Sequence, residues 1–133
     1  MTEHKMIPSE LKKHMLSFDW NEQIVWEEKA EIEQIPISKI DYLLVLPFWE
    51  KPGYKSESFN LSPMDVLRNP DLYQDHFARI IDSNCEYPLD FLLYEDKIWI
   101  LDGLHRLCKL YLEGSEYVSV RIHTDEVINK IKI

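Results

Sequence analysis

Clustered positive charge is the feature that this sequence most clearly lacks. Lys and Arg occupy 15 positions against 24 for Asp and Glu, and the formal net charge is −9 at pH 7. Because proteins bind phosphate backbones through clustered Lys and Arg, this balance argues against nucleic acid and anionic membrane surfaces as partners. We therefore expect no direct binding to DNA.

Long apolar runs and paired cysteines are also missing. The longest apolar run, Tyr42 to Trp49, has eight residues, whereas a membrane-spanning helix needs about 20. The first residues lack the apolar stretch of a secretory signal, so the expected compartment is the cytoplasm, with no membrane partner. Cys85 and Cys108 have neither C-x-x-C spacing nor a nearby His pair, which predicts ordinary reduced thiols.

The composition that remains is globular, with 45% hydrophobic residues and only three glycines. A chain of 133 residues predicts a single domain that buries roughly two thirds of its unfolded surface. We expect an acidic, Trp-containing helical extension over residues 1–29, a core over 30–123 and a C-terminal helix over 124–133. Residues 19–33 show no pattern that assigns them to an element.

The first half of the chain predicts a helix, two extended segments and a long loop. Ser9 is a candidate cap for a short amphipathic helix. A strand is expected to end at Pro36, and a second extended run follows at Tyr42 to Leu46. Residues 47–60 contain two prolines and a glycine and are predicted to form a lid. Ser62 then begins a helix with proline and aspartate in its first turn.

The second half predicts alternating helices and strands. A helix is expected from Asp71 to about Asp82, and residues 88–101 have the pattern of two strands joined by a tight turn. Apolar spacing predicts a buried-face helix from Leu104 to Glu113, and "YVSVRI" follows as a strand. Thr124 is expected to cap the last helix. These elements predict an α/β (α+β) domain, with a small mixed sheet and helices packed against it.

An Asp-Gly-Leu-His-Arg corner joins a predicted strand to a predicted helix at residues 102–106. Unpaired N–H groups and the helix dipole attract anions to such a corner, and Arg106 and His105 would add donors. Gly103 would let the backbone approach a ligand, while Asp102 could hold Mg²⁺ carried on phosphates. The alternative left open is that Asp102 only caps the helix and the His-Arg pair is solvated.

The residues around this corner carry a family resemblance. Residues 88–122 read "PLDFLLYEDKIWILDGLHRLCKLYLEGSEYVSVRI". Their order of strand, turn, strand, Asp-Gly, polar-Arg pair, helix and strand resembles the ParB/sulfiredoxin superfamily, and with "IEQIPISKI" upstream the likeness covers about 32–122. The resemblance implies a corner that binds nucleotide phosphates through Gly103, Leu104, His105 and Arg106.

Departures from the family pattern narrow the implied chemistry. Sulfiredoxin-like reductases need a cysteine where this chain has Leu104, so sulfinic acid reduction is not expected. ParB partition proteins carry a Gly-Glu-Arg-Arg motif, whereas this chain has Gly-Leu-His-Arg. Centromere binding and a CTP-driven clamp are therefore not expected.

The "DGLHR" form is most similar to the branch of the family that contains free-serine kinases. The resemblance implies phosphoryl transfer to a small hydroxyl compound, with Mg²⁺ and ATP, ADP or CTP as the nucleotide. Asp102 would be the metal ligand and a catalytic residue, and Glu50, in the loop after the early strands, would be the general base. His76 and Arg79 could extend the positive site, and Trp49 and Tyr54 could stack on a ring.

Two other classes of function stay open. The chain could be a non-catalytic protein-interaction module that keeps the fold and binds a partner through its acidic, Trp-rich N-terminal region and the lid. Such a module predicts an exposed aromatic patch and no nucleotide binding. A phosphodiesterase or nuclease ranks last because the sequence has no metal-ligand cluster and is acidic.

Overall fold

A four-stranded mixed sheet organises the chain. The computed structural model describes residues 7–52 and 59–133. The strand order is β1-β4-β2-β3. The strands are β1 (Ile32–Pro36), β2 (Leu89–Tyr94), β3 (Lys97–Asp102) and β4 (Tyr117–His123). With helices packed against this sheet, the predicted mixed α/β class is confirmed.

Six α-helices and three 3₁₀ helices are found in the described residues. The α-helices are α1 (Ser9–Lys12), α2 (Glu22–Glu27), α3 (Pro63–Arg68), α4 (Gln74–Ile81), α5 (Leu104–Leu112) and α6 (Ile128–Ile131). The 3₁₀ helices are Ile37–Lys39, Asp41–Val45 and Asp125–Val127. Within the ranges 7–52 and 59–133, no helix is both long and apolar enough to cross a membrane.

Strand pairing follows the sequence pattern closely. Strands β2 and β3 form the predicted antiparallel hairpin, and β1 pairs antiparallel with β4. Strands β2 and β4 are parallel, which makes the sheet mixed. Glu95 and Asp96 both have positive φ at the hairpin turn, the backbone that a tight two-residue connection needs.

Alternating side chains give the sheet two buried faces. Phe91 on β2 and Val120 on β4 belong to the larger core, which α3, α4 and α5 cover. Leu92 on β2 and Leu101 on β3 face the other way, into a smaller core closed by α2 and α6. The N-terminal segment is therefore part of the fold, because Val25 of α2 is buried in that smaller core.

Two helix starts confirm the local sequence signals. The Ser62 side chain accepts a hydrogen bond from the Asp65 N–H, and Asp65 accepts one from the Ser62 N–H. This reciprocal pair is a capping box, with Pro63 at the first helical position. Helix α5 begins after Gly103, as the strand-to-helix corner predicts.

The expected second extended run at Tyr42 to Leu46 is wrong. Residues Asp41–Val45 form a 3₁₀ helix, which buries Leu43 and Leu44 and exposes Val45. Strand β4 already pairs with β1 and β2, so the sheet offers this segment no internal place. A short apolar run fits a buried turn of helix as well as a strand.

Three helix boundaries also differ from expectation. Helix α1 ends at Lys12 and its cap position is Pro8, so Ser9 does not cap it. Helix α4 begins at Gln74, because the Tyr73 N–H donates back to the Asn69 carbonyl in a preceding turn. The C-terminal helix is split into a 3₁₀ turn and α6, and Thr124 makes no side-chain cap.

Candidate functional site

The corner between β3 and α5 is built around a glycine that no other residue can replace without strain. Gly103 has φ of +118°, which side-chain-bearing residues rarely adopt. A Cβ there would lie 2.8 Å from Leu89 Cγ and 3.3 Å from Arg106 Nη2. The Gly103 carbonyl accepts the Leu107 N–H at 2.9 Å and so starts the helical ladder. Close packing therefore fixes the direction in which α5 leaves the sheet.

A cavity of about 760 Å³ opens at this corner. The residues predicted for the phosphate site all line it, as does the predicted metal ligand; they are Asp102, Gly103, Leu104, His105 and Arg106. Its volume lies within the range of small-molecule sites, roughly 300–1,000 Å³. The structure thus brings the predicted corner residues together at one opening, which is called the larger cavity below.

One oxygen of Asp102 accepts hydrogen bonds from two side chains. Its Oδ2 accepts a hydrogen bond from Arg106 Nη2 at 2.7 Å and another from Trp26 Nε1 at 2.7 Å. The cap position of α5 is Gly103, so Asp102 does not cap the helix. This carboxylate instead joins the corner to the N-terminal segment.

A second carboxyl group lies beside Asp102. The pKa of Glu22 is raised, first by burial and then by the charge of Asp102 and a side-chain hydrogen bond between the two groups. Two carboxyl groups in one place favour retention of a proton by one of them. Glu22 therefore has a neighbour that makes it a better proton acceptor than an ordinary surface glutamate.

Arg106 is held by two hydrogen bonds and has further N–H donors. Its Nη1 donates to the Pro88 carbonyl at 2.9 Å, and its Nη2 donates to Asp102. A guanidinium has five N–H donors, and these two bonds use two of them. The side chain is partly buried and lines the larger cavity, so the expectation that the His-Arg pair is merely solvated is wrong.

A second Asp–Arg pair lines the same cavity. Asp90 Oδ1 accepts from Arg121 Nε at 2.8 Å and lies 2.9 Å from His123 Nε2. Arg121 also donates to the Glu28 carbonyl at 2.7 Å and to the Val25 carbonyl at 3.0 Å. This pair therefore ties the sheet to the end of α2.

A smaller cavity of about 370 Å³ lies on the other side of the corner. It shares four residues with the larger one, namely Asp102, Gly103, Leu104 and His105. Glu22, Trp49 and Arg79 are among the residues that line only the smaller cavity. The corner is thus a partition between two openings.

Two imidazole rings lie against the indole of Trp49, which lines the smaller cavity. The imidazole centroids of His76 and His105 lie 4.4 Å and 4.6 Å from the Trp49 indole, with nearly parallel planes. The two imidazoles are 5.7 Å apart, less than the roughly 7 Å that opposite faces of one ring would impose. Both histidines therefore cover the same face of Trp49.

The two histidines are biased towards their neutral forms. His76 Nδ1 and His105 Nε2 lie 3.5 Å apart, at the outer limit of a hydrogen bond. Burial, Arg79 and His76, in that order, lower the pKa of His105 to about 4. Burial is also the main reason that the pKa of His76 is lowered. At neutral pH His105 is therefore uncharged and is not a second cation beside Arg106.

Glu50, the predicted general base, does not line either cavity. It is half-buried next to Trp49, whose backbone pairs with Leu61. Tyr54 lies outside the described residues, as do the other lid residues from 53 to 58.

The sequence predicts Asp102 as a ligand for Mg²⁺. Mg²⁺ carried on phosphates is usually held by one or two carboxylates, and Asp102 supplies one. Arg106 and Trp26 already occupy one Asp102 oxygen, so the other oxygen would be the ligand, while Glu22 is engaged in a hydrogen bond with Asp102. In residues 7–52 and 59–133 no three His, Cys, Asp or Glu side chains form a metal-binding group.

No family model, curated protein or solved structure matches this chain. The resemblance to the ParB/sulfiredoxin superfamily therefore stays a prediction. Sequence reasoning did not find the contributions of Glu22, Trp26 and Arg121. The available signal was the Trp-rich, acidic character of residues 19–33, but nothing in that stretch shows which strand end it contacts.

Proposed function

We propose that the chain binds a nucleoside phosphate in the larger cavity. The observation that carries this proposal is that the first turn of α5 and Arg106 open into one cavity of about 760 Å³. The N–H groups of Leu104 and His105 belong to the first turn of α5, where helical geometry leaves N–H groups without carbonyl partners. Phosphate oxygens are suited to accept from such groups and from the remaining N–H donors of Arg106.

The reaction that best fits this placement is phosphoryl transfer to a small hydroxyl compound. The two cavities share the corner residues, and transfer would require an acceptor in the smaller cavity to reach the phosphate end of a nucleotide past this corner. The acceptor oxygen would form the new bond to phosphorus as the bond to the nucleotide oxygen breaks. Mg²⁺, held by Asp102, would neutralise charge on the transferred group.

Glu22 is the better placed carboxyl group to accept the hydroxyl proton. It lines the smaller cavity, and its pKa is raised by burial and by Asp102. A base with a raised pKa holds a transferred proton more readily. Glu50 remains the base that the family resemblance predicts, and the two assignments can be separated by experiment.

The binding proposal is tested by a thermal-shift panel of ATP, ADP, CTP and GTP with and without Mg²⁺. A ligand at 100 times its Kd should stabilise the protein by about 2.7 kcal/mol, which is several degrees for a domain of this size. Arg106→Ala should remove the shift, while Arg68→Ala, an exposed control in α3 that lines neither cavity, should keep it. No shift with any nucleotide at millimolar concentration would contradict the proposal.

The transfer step needs a separate assay. Consumption of nucleotide would be followed in the presence of small hydroxyl compounds, beginning with serine, for the wild type, Glu22→Gln and Glu50→Gln. We expect Glu22→Gln to lower turnover by about 100-fold or more, because a general base contributes at least that much. A loss confined to Glu50→Gln would instead support the base that the resemblance implies.

A second candidate function is a module that binds a protein partner. Trp26, Ile32 and Tyr87 are exposed around the larger cavity, and an exposed apolar patch is a common feature of protein interfaces. This candidate predicts no nucleotide-dependent shift in the panel above. It also predicts that Tyr87→Ser abolishes partner binding without changing the stability of the free chain.

A further inference from the structure

The larger cavity has an aromatic rim. Trp26 is 56% exposed and Tyr87 is 64% exposed, and both line this cavity together with exposed Ile32. Water covers most of the area of these side chains in the free protein. Apolar groups that gather around a cavity, rather than being scattered over the surface, indicate a binding site.

Trp26 is exposed but its orientation is set. Its indole N–H donates to Asp102 Oδ2 at 2.7 Å, and Arg106 Nη2 donates to the same oxygen at the same distance. The indole nitrogen and the guanidinium nitrogen are therefore no farther apart than twice that distance. A ligand that places a phosphate at Arg106 has the indole next to it.

We propose that Trp26 is the platform on which the base of a nucleoside phosphate stacks, with Tyr87 as a second aromatic contact. This inference rests on the proposed nucleotide binding and adds the group that recognises the base. An indole is suited to this role because every nucleobase offers a flat π-face, and such stacking is independent of base-edge hydrogen bonds. The hydrogen bond to Asp102 holds the indole next to the corner before the ligand arrives.

The inference also assigns a role to the N-terminal segment. Trp26 is in α2, before the core that the sequence predicts over residues 30–123. Arg121 holds the end of this helix by its bonds to the Val25 and Glu28 carbonyls, on either side of Trp26 in the chain. The segment thus supplies a wall of the site as well as a part of the smaller hydrophobic core.

Titration calorimetry with two probes separates base recognition from phosphate recognition. The probes are ATP and inorganic tripolyphosphate, each with Mg²⁺, and the variants are Trp26→Leu, Trp26→Phe and Tyr87→Leu. Trp26→Leu should weaken ATP binding by about ten-fold or more, and it should weaken tripolyphosphate binding no more than Trp26→Phe does. Trp26→Phe should retain most of the ATP affinity, since it keeps a ring but loses the indole N–H.

The possible outcomes distinguish the two proposals. If both probes bind the wild type and Trp26→Leu binds ATP as tightly, base stacking is overturned while phosphate binding stands. Equal losses of both probes in Trp26→Leu and Trp26→Phe would mean that Trp26 acts only through Asp102, which also overturns stacking. Failure of both probes to bind the wild type overturns the proposed function and this inference together.

The Tyr87→Leu variant tests the aromatic rim even if the Trp26 variants do not fold. Tyr87 is more exposed than Trp26, so Tyr87→Leu should keep the thermal midpoint of the wild type. If the Trp26 variants do not fold, a loss of ATP affinity in Tyr87→Leu with unchanged tripolyphosphate affinity supports the aromatic rim. Unchanged ATP affinity in a folded Tyr87→Leu then overturns it.

Discussion

Two Asp–Arg pairs lie side by side on neighbouring strands and differ in burial and in hydrogen bonding. Asp90 on β2 and Asp102 on β3 are directly opposite in the sheet register, and each bonds to an arginine at the edge of the larger cavity. The Asp90 side chain is 3% exposed, whereas the Asp102 side chain is 20% exposed. Arg121 places its three nitrogens on protein acceptors, while Arg106 uses two N–H donors in all.

The difference shows which pair can serve a ligand. Opening the Asp90–Arg121 pair would strand a buried carboxylate and release the end of α2, so it is suited to a fixed structural role. The Asp102–Arg106 pair is closer to solvent and has donors to spare, so Arg106 can share a phosphate without leaving its carbonyl partner. The two pairs contain the same residue types but are suited to different roles.

The largest expected effect comes from breaking the buried pair. Arg121→Met should lower the free energy of unfolding by about 3–5 kcal/mol, because it leaves Asp90 buried with only His123 beside it. Urea denaturation measures this change. Lys130→Met, which breaks an exposed pair with Glu28, is the matched control and should cost less than 1 kcal/mol, as surface pairs do. Equal losses in the two variants would remove the distinction drawn between the pairs.

A smaller loss is expected where the two pairs meet at the corner. Gly103→Ala should cost about 2–4 kcal/mol, since it adds the strain of a positive φ and presses a methyl group against Leu89 and Arg106. Gly114→Ala is the control, because Gly114 also has a positive φ but has no atom within 4 Å of the added methyl group. If both variants lose the same stability, close packing at the corner does not contribute.

The Asp102–Arg106 pair should matter more for binding than for stability. Arg106→Met should lower the free energy of unfolding by about 1–2 kcal/mol, because a partly solvated ion pair and one carbonyl bond are lost. The same urea experiment measures it. A loss as large as that of Arg121→Met would show that both pairs are structural and would weaken the case for a phosphate contact.

The smallest expected effect is the pH dependence of stability that His105, one of the two histidines against Trp49, contributes. Because the pKa of His105 falls from 6.5 to about 4 on folding, the unfolded chain binds a proton more readily. Stability from this group is therefore complete above pH 6.5 and is lost as the pH falls towards 4. Between pH 7.5 and 5 the wild type should lose on the order of 1 kcal/mol more than His105→Gln does. Parallel pH curves for the two proteins would contradict the expected shift.

Local signals in the sequence were enough to predict most of the sheet. The β2–β3 hairpin, the end of β1 at Pro36 and the start of α5 each depend on turn or cap chemistry within a few residues. The 3₁₀ helix Asp41–Val45 could not be predicted in this way. A short apolar run fits a strand and a buried helical turn equally well, and the choice depends on core contacts with residues far away in the sequence.

Only one wall of the candidate site could be predicted from the sequence. Residues 102–106 are consecutive, so their meeting at one cavity follows from a single strand-to-helix corner. The partners on the opposite wall are far away in sequence: Trp26 is 76 positions from Asp102, and Arg121 is 96 positions from Val25. No local pattern encodes such pairs, and a tryptophan in an acidic stretch does not show which carboxylate it will contact.

The bonds that close the smaller core have a consequence for synthesis on the ribosome. The Asn21 N–H donates to the Ile131 carbonyl, and the Ile133 N–H donates to the Asp19 carbonyl. These two bonds cannot form until residue 131 has been synthesised, 110 positions after Asn21. At about 5–20 residues per second this wait lasts several seconds. During that time the smaller core lacks Ile131, and mutations that slow its completion should appear first as losses of yield.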